Sequence, residues 1–125
     1  MSMLKALIIV APLVLSTAAI AGPERLTDAQ YIAAARCQAL MASSALGPVD
    51  MHAVDAVMKT EGATRSPAVA DRADTARAQA DRAARHAGPD SKATLIAERD
   101  GPCHSLLARS PMSAAIDAHG STRTN

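Results

Sequence analysis

The sequence predicts an all-α fold, a small antiparallel bundle of about four helices plus a short C-terminal helix, closed by one disulfide. Three observations carry that expectation. Beyond the first 21 residues there is no run of alternating β-branched or aromatic residues, so no stretch reads as a strand. Apolar residues instead recur at steps of three and four between Gly-Pro and Ser-Pro pairs that punctuate the chain. The chain also holds just two cysteines, Cys37 and Cys103, each three residues before a leucine, Leu40 and Leu106.

The first stretch reads as an export signal. Lys5 supplies positive charge, residues 6–20 are uncharged and almost wholly apolar, and Ala19-Ile20-Ala21 is a small-x-small cleavage site, which places the predicted cut after Ala21. The other reading is a retained membrane anchor, but the apolar run is short for a span of roughly 20 residues and contains Pro12. Cleavage of 21 of the 125 residues leaves 104, enough for one small domain, assigned to 22–120, with a disordered tail at 121–125. Lys5 is the only charge removed, so 12 basic side chains remain against 12 acidic ones. That balance argues against nucleic acid or an anionic membrane surface as partner, since both are recognised by clustered Lys and Arg. With no Phe or Trp, and Tyr31 the sole aromatic, stacking platforms for bases or sugars are missing as well. The expected destination is the periplasm or the exterior, where two cysteines persist as a disulfide. Pairing Cys37 with Cys103 closes a loop of about 66 residues, worth roughly 4 kcal/mol in the chain-entropy treatment.

Helix one is expected over 28–44. Thr27 followed by Gln30 forms a capping box, and Leu26 with Tyr31 has the spacing of a hydrophobic staple. Its inner face is read as Ala33, Cys37, Leu40, Met41 and Ser44, ending at Leu46-Gly47-Pro48. Helix two, over 50–61, is capped by Asp50 and carries Met51, Val54, Val57 and Met58 on one face. That face either closes the bundle or docks a partner. Helix three starts at Ser66-Pro67 and runs to residue 87, with Val69, Ala73, Ala76, Ala80, Ala83 and Ala87 as a coiled-coil-like seam of small residues. Helix four begins near Asp90-Ser91, carries Leu95 and Ile96, and meets Gly101-Pro102, after which Cys103 to Arg109 is either a kinked continuation or a separate turn. A last helix over 111–119 is capped by Ser110 and ended by Gly120.

Candidate chemistry is sparse. A Met and a His facing the interior of a small exported bundle, Met41 and His104, is similar in architecture to the b-type cytochrome bundles, and that resemblance implies haem. Covalent haem requires Cys-x-x-Cys-His, and Gly101-Pro102-Cys103-His104 lacks the first cysteine; a non-covalent haem requires bulky apolar walls that this alanine-rich chain does not supply. Met41, Met51, Met58 and Met112 with His52, His86, His104 and His119 are ligand types suited to copper or zinc, yet no two histidines lie three or four apart. There is no Gly-x-Ser-x-Gly nucleophile motif, and Asp100 is the one acid at a helix break. The expectation is therefore a non-enzymatic interaction or accessory factor with no cofactor and another envelope protein as its partner. A periplasmic metal- or haem-binding bundle is the alternative.

Overall fold

The computed structural model describes residues 25–110. The export signal expected over 1–21, the helix expected over 111–119 and the tail expected at 121–125 lie outside the described residues. Within them the order is α1 (Asp28–Ala42), a 3₁₀ turn (Ser44–Leu46), α2 (His52–Gly62), α3 (Pro67–Arg85), α4 (Pro89–Glu98), a π-helical turn (Arg99–Cys103) and α5 (His104–Ala108).

The starts follow the local chemistry. Thr27 Oγ1 accepts from the Gln30 backbone N–H at 3.2 Å, and Gln30 Oε1 accepts from the Thr27 N–H at 2.9 Å, so the capping box is complete. Leu26 and Tyr31 are buried in one core. Asp50 Oδ1 accepts from the His52 N–H at 2.9 Å at the head of α2, and the Ser66 hydroxyl accepts from the Val69 N–H at the head of α3, with Pro67 in its first turn. After the 3₁₀ turn Gly47 takes φ +93°, a left-handed backbone that a Cβ would strain.

Two clusters fix the topology. Tyr31, Ala34 and Ala35 of α1 pack with Val54, Val57 and Met58 of α2, Val69 and Ala73 of α3, and Leu107 of α5. Cys37 and Leu40, further along α1, pack with Leu46, Ala80 and Ala84 of α3, Leu95 of α4 and Cys103. The start of α1 thus meets the start of α3 and the end of α1 meets the end of α3, so these two helices run parallel. α2 and the α4–α5 run return between the ends, giving an up-down-up-down bundle. α1 has its most extensive interface with α3, through alanines on both sides, each buried methyl contributing about 0.8 kcal/mol.

Two expectations are corrected. Ala33 and Ser44 are exposed, and Tyr31, Ala34 and Ala35 are buried in their place, because α1 lies against α2, α3 and the α4–α5 run and buries more than one stripe. On α3, Ala83 is exposed and Ala84 is buried; a straight helix turns every 3.6 residues, so a 3.5-residue seam drifts off the interface after three turns. At Gly101-Pro102 the structure takes the first of the two expected alternatives, a continuation. Pro102 sits inside the π-helical turn, whose wider ring accommodates a residue with no N–H to donate, and the chain continues directly into α5.

Candidate functional site

Cys37 and Cys103 are bonded, with Cα atoms 5.4 Å apart and the two residues only 5% and 1% exposed. The bond ties the middle of α1 to the π-helical turn. Around it, Arg36 Nε and Nη2 donate to the two Glu98 carboxylate oxygens at 2.6 and 3.0 Å, a bidentate bridge from α1 to α4. That hydrogen bond holds the Glu98 carboxyl below its ordinary value and the Arg36 guanidinium above its own, against the opposing effect of partial burial. Arg99 Nη1 donates to the carbonyls of Leu46 and Gly47 at 2.9 and 3.3 Å, closing the 3₁₀ turn from the neighbouring helix.

The residues singled out for cofactor chemistry are scattered. His52, His86 and His104 are all exposed, so His104 does not face the interior as the cytochrome resemblance would require. Met58 is buried, Met41 and Met51 are half-buried, and Met112 and His119 lie outside the described residues. Among the described residues no three His, Cys, Asp or Glu side chains are grouped to hold a metal ion. Asp100 is exposed, and the Arg99 guanidinium, donating from Nε to its Oδ1 at 2.7 Å, holds its carboxyl below the ordinary value. On α2, Val54, Val57 and Met58 are buried in the first core, so that face closes the bundle.

One constellation escaped the sequence reading. Glu61, at the end of α2, is only 2% exposed and accepts from Arg65 Nη2 at 2.9 Å. Arg65 also donates from Nε to the Glu61 carbonyl at 3.1 Å, from Nη1 to Asp28 Oδ1 at 2.6 Å and from Nη2 to the Leu26 carbonyl. Its guanidinium carbon stands 5.0 Å from the Tyr31 ring centroid, within range of a cation–π contact. The node locks the start of α1 to the α2–α3 corner, with the Glu61 carboxylate buried beside the Arg65 guanidinium. The detectable signal was Glu61 four residues before Arg65, a helical pairing distance.

The remaining feature is a shallow groove where α1 ends and α2 begins. Met41, Ala42, Pro48, Val49 and Met51 line it. It shares Ala42 and Met51 with a second depression lined by Gln38, Ala39, Asp55 and Arg77, so the two form one continuous surface. Gln38 sits across that surface, donating from Nε2 to Asp55 Oδ1 at 2.8 Å and accepting on Oε1 from Arg77 Nε at 2.9 Å. Such an arrangement offers apolar contact edged by charge, which is suited to holding another molecule. Comparison with protein-family models, with characterised proteins and with solved structures finds no match for this chain.

Proposed function

We propose that this chain is an exported, disulfide-closed helical bundle that acts without catalysis, as an interaction or accessory factor for another protein of the cell envelope. The observation that carries the reading is the open Met41–Met51 groove on a frame whose other Met and Val side chains of α2 are buried. Export is supported by the Lys5-led apolar segment ending in Ala19-Ile20-Ala21 and by the buried Cys37–Cys103 bond, which an oxidising compartment maintains. Among the described residues no helix is long and apolar enough to cross a membrane.

The test is to cross-link the protein in its own cells and isolate it from the envelope. A mature chain beginning at or near Gly22, colourless, free of stoichiometric metal and joined to one recurrent partner polypeptide is the expected result. A Soret band, or one copper or zinc per chain, would give the cofactor-binding alternative the stronger claim.

A further inference from the structure

The Met41–Met51 groove supports a more specific assignment, which rests on the interaction reading above. Both methionines pack partly on the core around Tyr31 while lining the groove, so each is anchored and yet accessible. An unbranched, polarisable thioether repacks at little cost, and a wall made of two of them adapts to apolar side chains of varied shape. Past Met51 the surface drops to the methyls of Ala39 and Ala42 on α1, with Ala78 of α3 lining the adjoining depression.

The edge of this apolar surface is acidic. Asp55 of α2 and Asp74 and Asp81 of α3 line it, against the single guanidinium of Arg77. Arg77 is already engaged, with Nη1 donating to Asp74 Oδ1 at 2.6 Å and Nε to Gln38. Asp81 pairs with Arg85 at 2.7 Å. Asp55 accepts from the uncharged Gln38 amide, so its full negative charge stands beside Met51. The excess charge along the groove is negative, and a ligand with Lys or Arg flanking its apolar side chains complements it.

The backbone conformation of that ligand also follows. Every regular element among the described residues is helical, so there is no sheet edge to pair with an extended peptide, whose N–H and C=O groups would lose water without replacement. A helix satisfies its own backbone and presents only side chains. We propose that the groove receives a basic amphipathic helix of a partner protein, its apolar face on Met41, Met51 and Ala42 and a flanking cation against Asp55.

The probe is a fluorescein-labelled Leu/Lys amphipathic peptide of about 18 residues, roughly five helical turns, titrated into the oxidised mature chain beside a Leu/Glu peptide of identical pattern. The Leu/Lys peptide should bind saturably at one per chain and the Leu/Glu peptide should not. Asp55→Lys and Ala42→Arg both alter exposed positions, and a thermal melt of each checks that it is folded. Each should weaken binding by about tenfold or more, a size typical of losing or reversing a close charge contact. Asp90→Lys, the same charge reversal on α4, should leave it within about twofold, since that site is outside the groove. Equal loss with Asp90→Lys would reduce the effect to bulk charge and overturn the assignment, as would equal binding of both peptides or none of the Leu/Lys probe. Sedimentation showing a dimer broken by Ala42→Arg would give the groove to a second copy and overturn the partner named here. A photo-cross-linker at Ala42 in cells separates this proposal from the broader one: partners captured only from other faces sink the groove and spare the interaction role. Peptide binding in vitro with no partner captured anywhere does the reverse.

Discussion

The two ends of the bundle are held by different physics. At one end, Tyr31, Val54, Val57 and Met58 supply the bulkier side chains, and the Glu61–Arg65 node welds three chain segments without a covalent link. At the other, the core is smaller, Leu40, Leu46 and Leu95 packing with Ala80 and Ala84, and the Cys37–Cys103 bond lies in the middle of it. α4 buries only Leu95, so the bond is placed beside the helix that burial holds least. The lesson is that in an alanine-rich chain the closest helix pair, α1 with α3, is not the best-glued one, and each helix outside that pair has a device of its own.

The largest effect should come from breaking the covalent end. Roughly 4 kcal/mol from closing the 66-residue separation is a large share of a small domain's about 5 to 15 kcal/mol. Cys37→Ser, Cys103→Ser and the double variant should melt lower than the oxidised parent by on the order of 20 °C. Reductant should lower the parent and leave the double variant unmoved. Hydrogen exchange on the reduced parent should lose protection in α4 before α2; the opposite order would mean that the bond does not act where the comparison puts it. Two free thiols per chain in the untreated exported protein would remove the premise.

The non-covalent end should respond nearly as strongly to loss of one charge. Arg65→Ala strands the Glu61 carboxylate at 3% side-chain exposure with Arg25 Nε 3.8 Å away as the nearest remaining cation, and should cost about 3 kcal/mol. Glu61→Ala should cost less, because Arg65 keeps Asp28 and the Leu26 carbonyl. Urea unfolding of both variants checks the order, and equal costs would show that the pair works only as a pair.

These ends differ in how far the sequence disclosed them. The capping box, the Ser66-Pro67 start and the pairing of Cys37 with Cys103 were legible because each depends on a few residues of distinctive chemistry at fixed spacing. The inner face of α1 was not, since Ala33, Ala34 and Ala35 carry the same side chain and only the neighbouring helices decide which are covered. The Glu61–Arg65 node was missed for a related reason: helical Glu–Arg pairs are usually solvated, and the burial of this one follows from Tyr31 and Leu26 arriving from 30 residues or more earlier. The groove depends on where α2 lies across α1, which no local pattern encodes.

Gly62 gives a sharper, smaller probe of the same end. A Cβ built there would stand 2.7 Å from the Tyr31 hydroxyl oxygen, whereas the next ring atom is 3.5 Å away, an ordinary contact. Gly62→Ala alone should destabilise by about 1 to 2 kcal/mol through overpacking. In a Tyr31→Phe background the same change should become neutral or stabilising by up to about 1 kcal/mol, the helix preference of Ala over Gly. Thermal melts of the four-member cycle would show the sign change, and its absence would mean that the α1–α2 contact at Tyr31 is loose.

The smallest effect belongs to the bidentate bridge beside the disulfide. Arg36 and Glu98 have side chains 36% and 29% exposed, so water screens them and the bridge should contribute less than about 1 kcal/mol. Its pH dependence is nevertheless distinctive. Hydrogen bonding from Arg36 lowers the folded-state pKa of Glu98 below its ordinary 4.5, so the folded protein binds this proton less readily than the unfolded chain does. The contribution is therefore fully present above pH 4.5 and is lost as pH falls through the lowered folded-state value. Arg36, its pKa raised by the same hydrogen bond, stays charged throughout and adds no dependence of its own. The stability difference between the parent and Glu98→Gln, read from urea midpoints, should stay flat from neutral pH to 4.5 and shrink below it. Repeating the comparison in the Cys37→Ser, Cys103→Ser chain sharpens the contrast between the ends: with the bond gone, the bridge and Arg99 are the remaining polar ties from the α4 region to α1 and the turn after it. If the acid-sensitive difference vanishes there, the bridge forms only because the disulfide holds α4 in place; if it persists, the bridge positions α4 independently of the covalent bond.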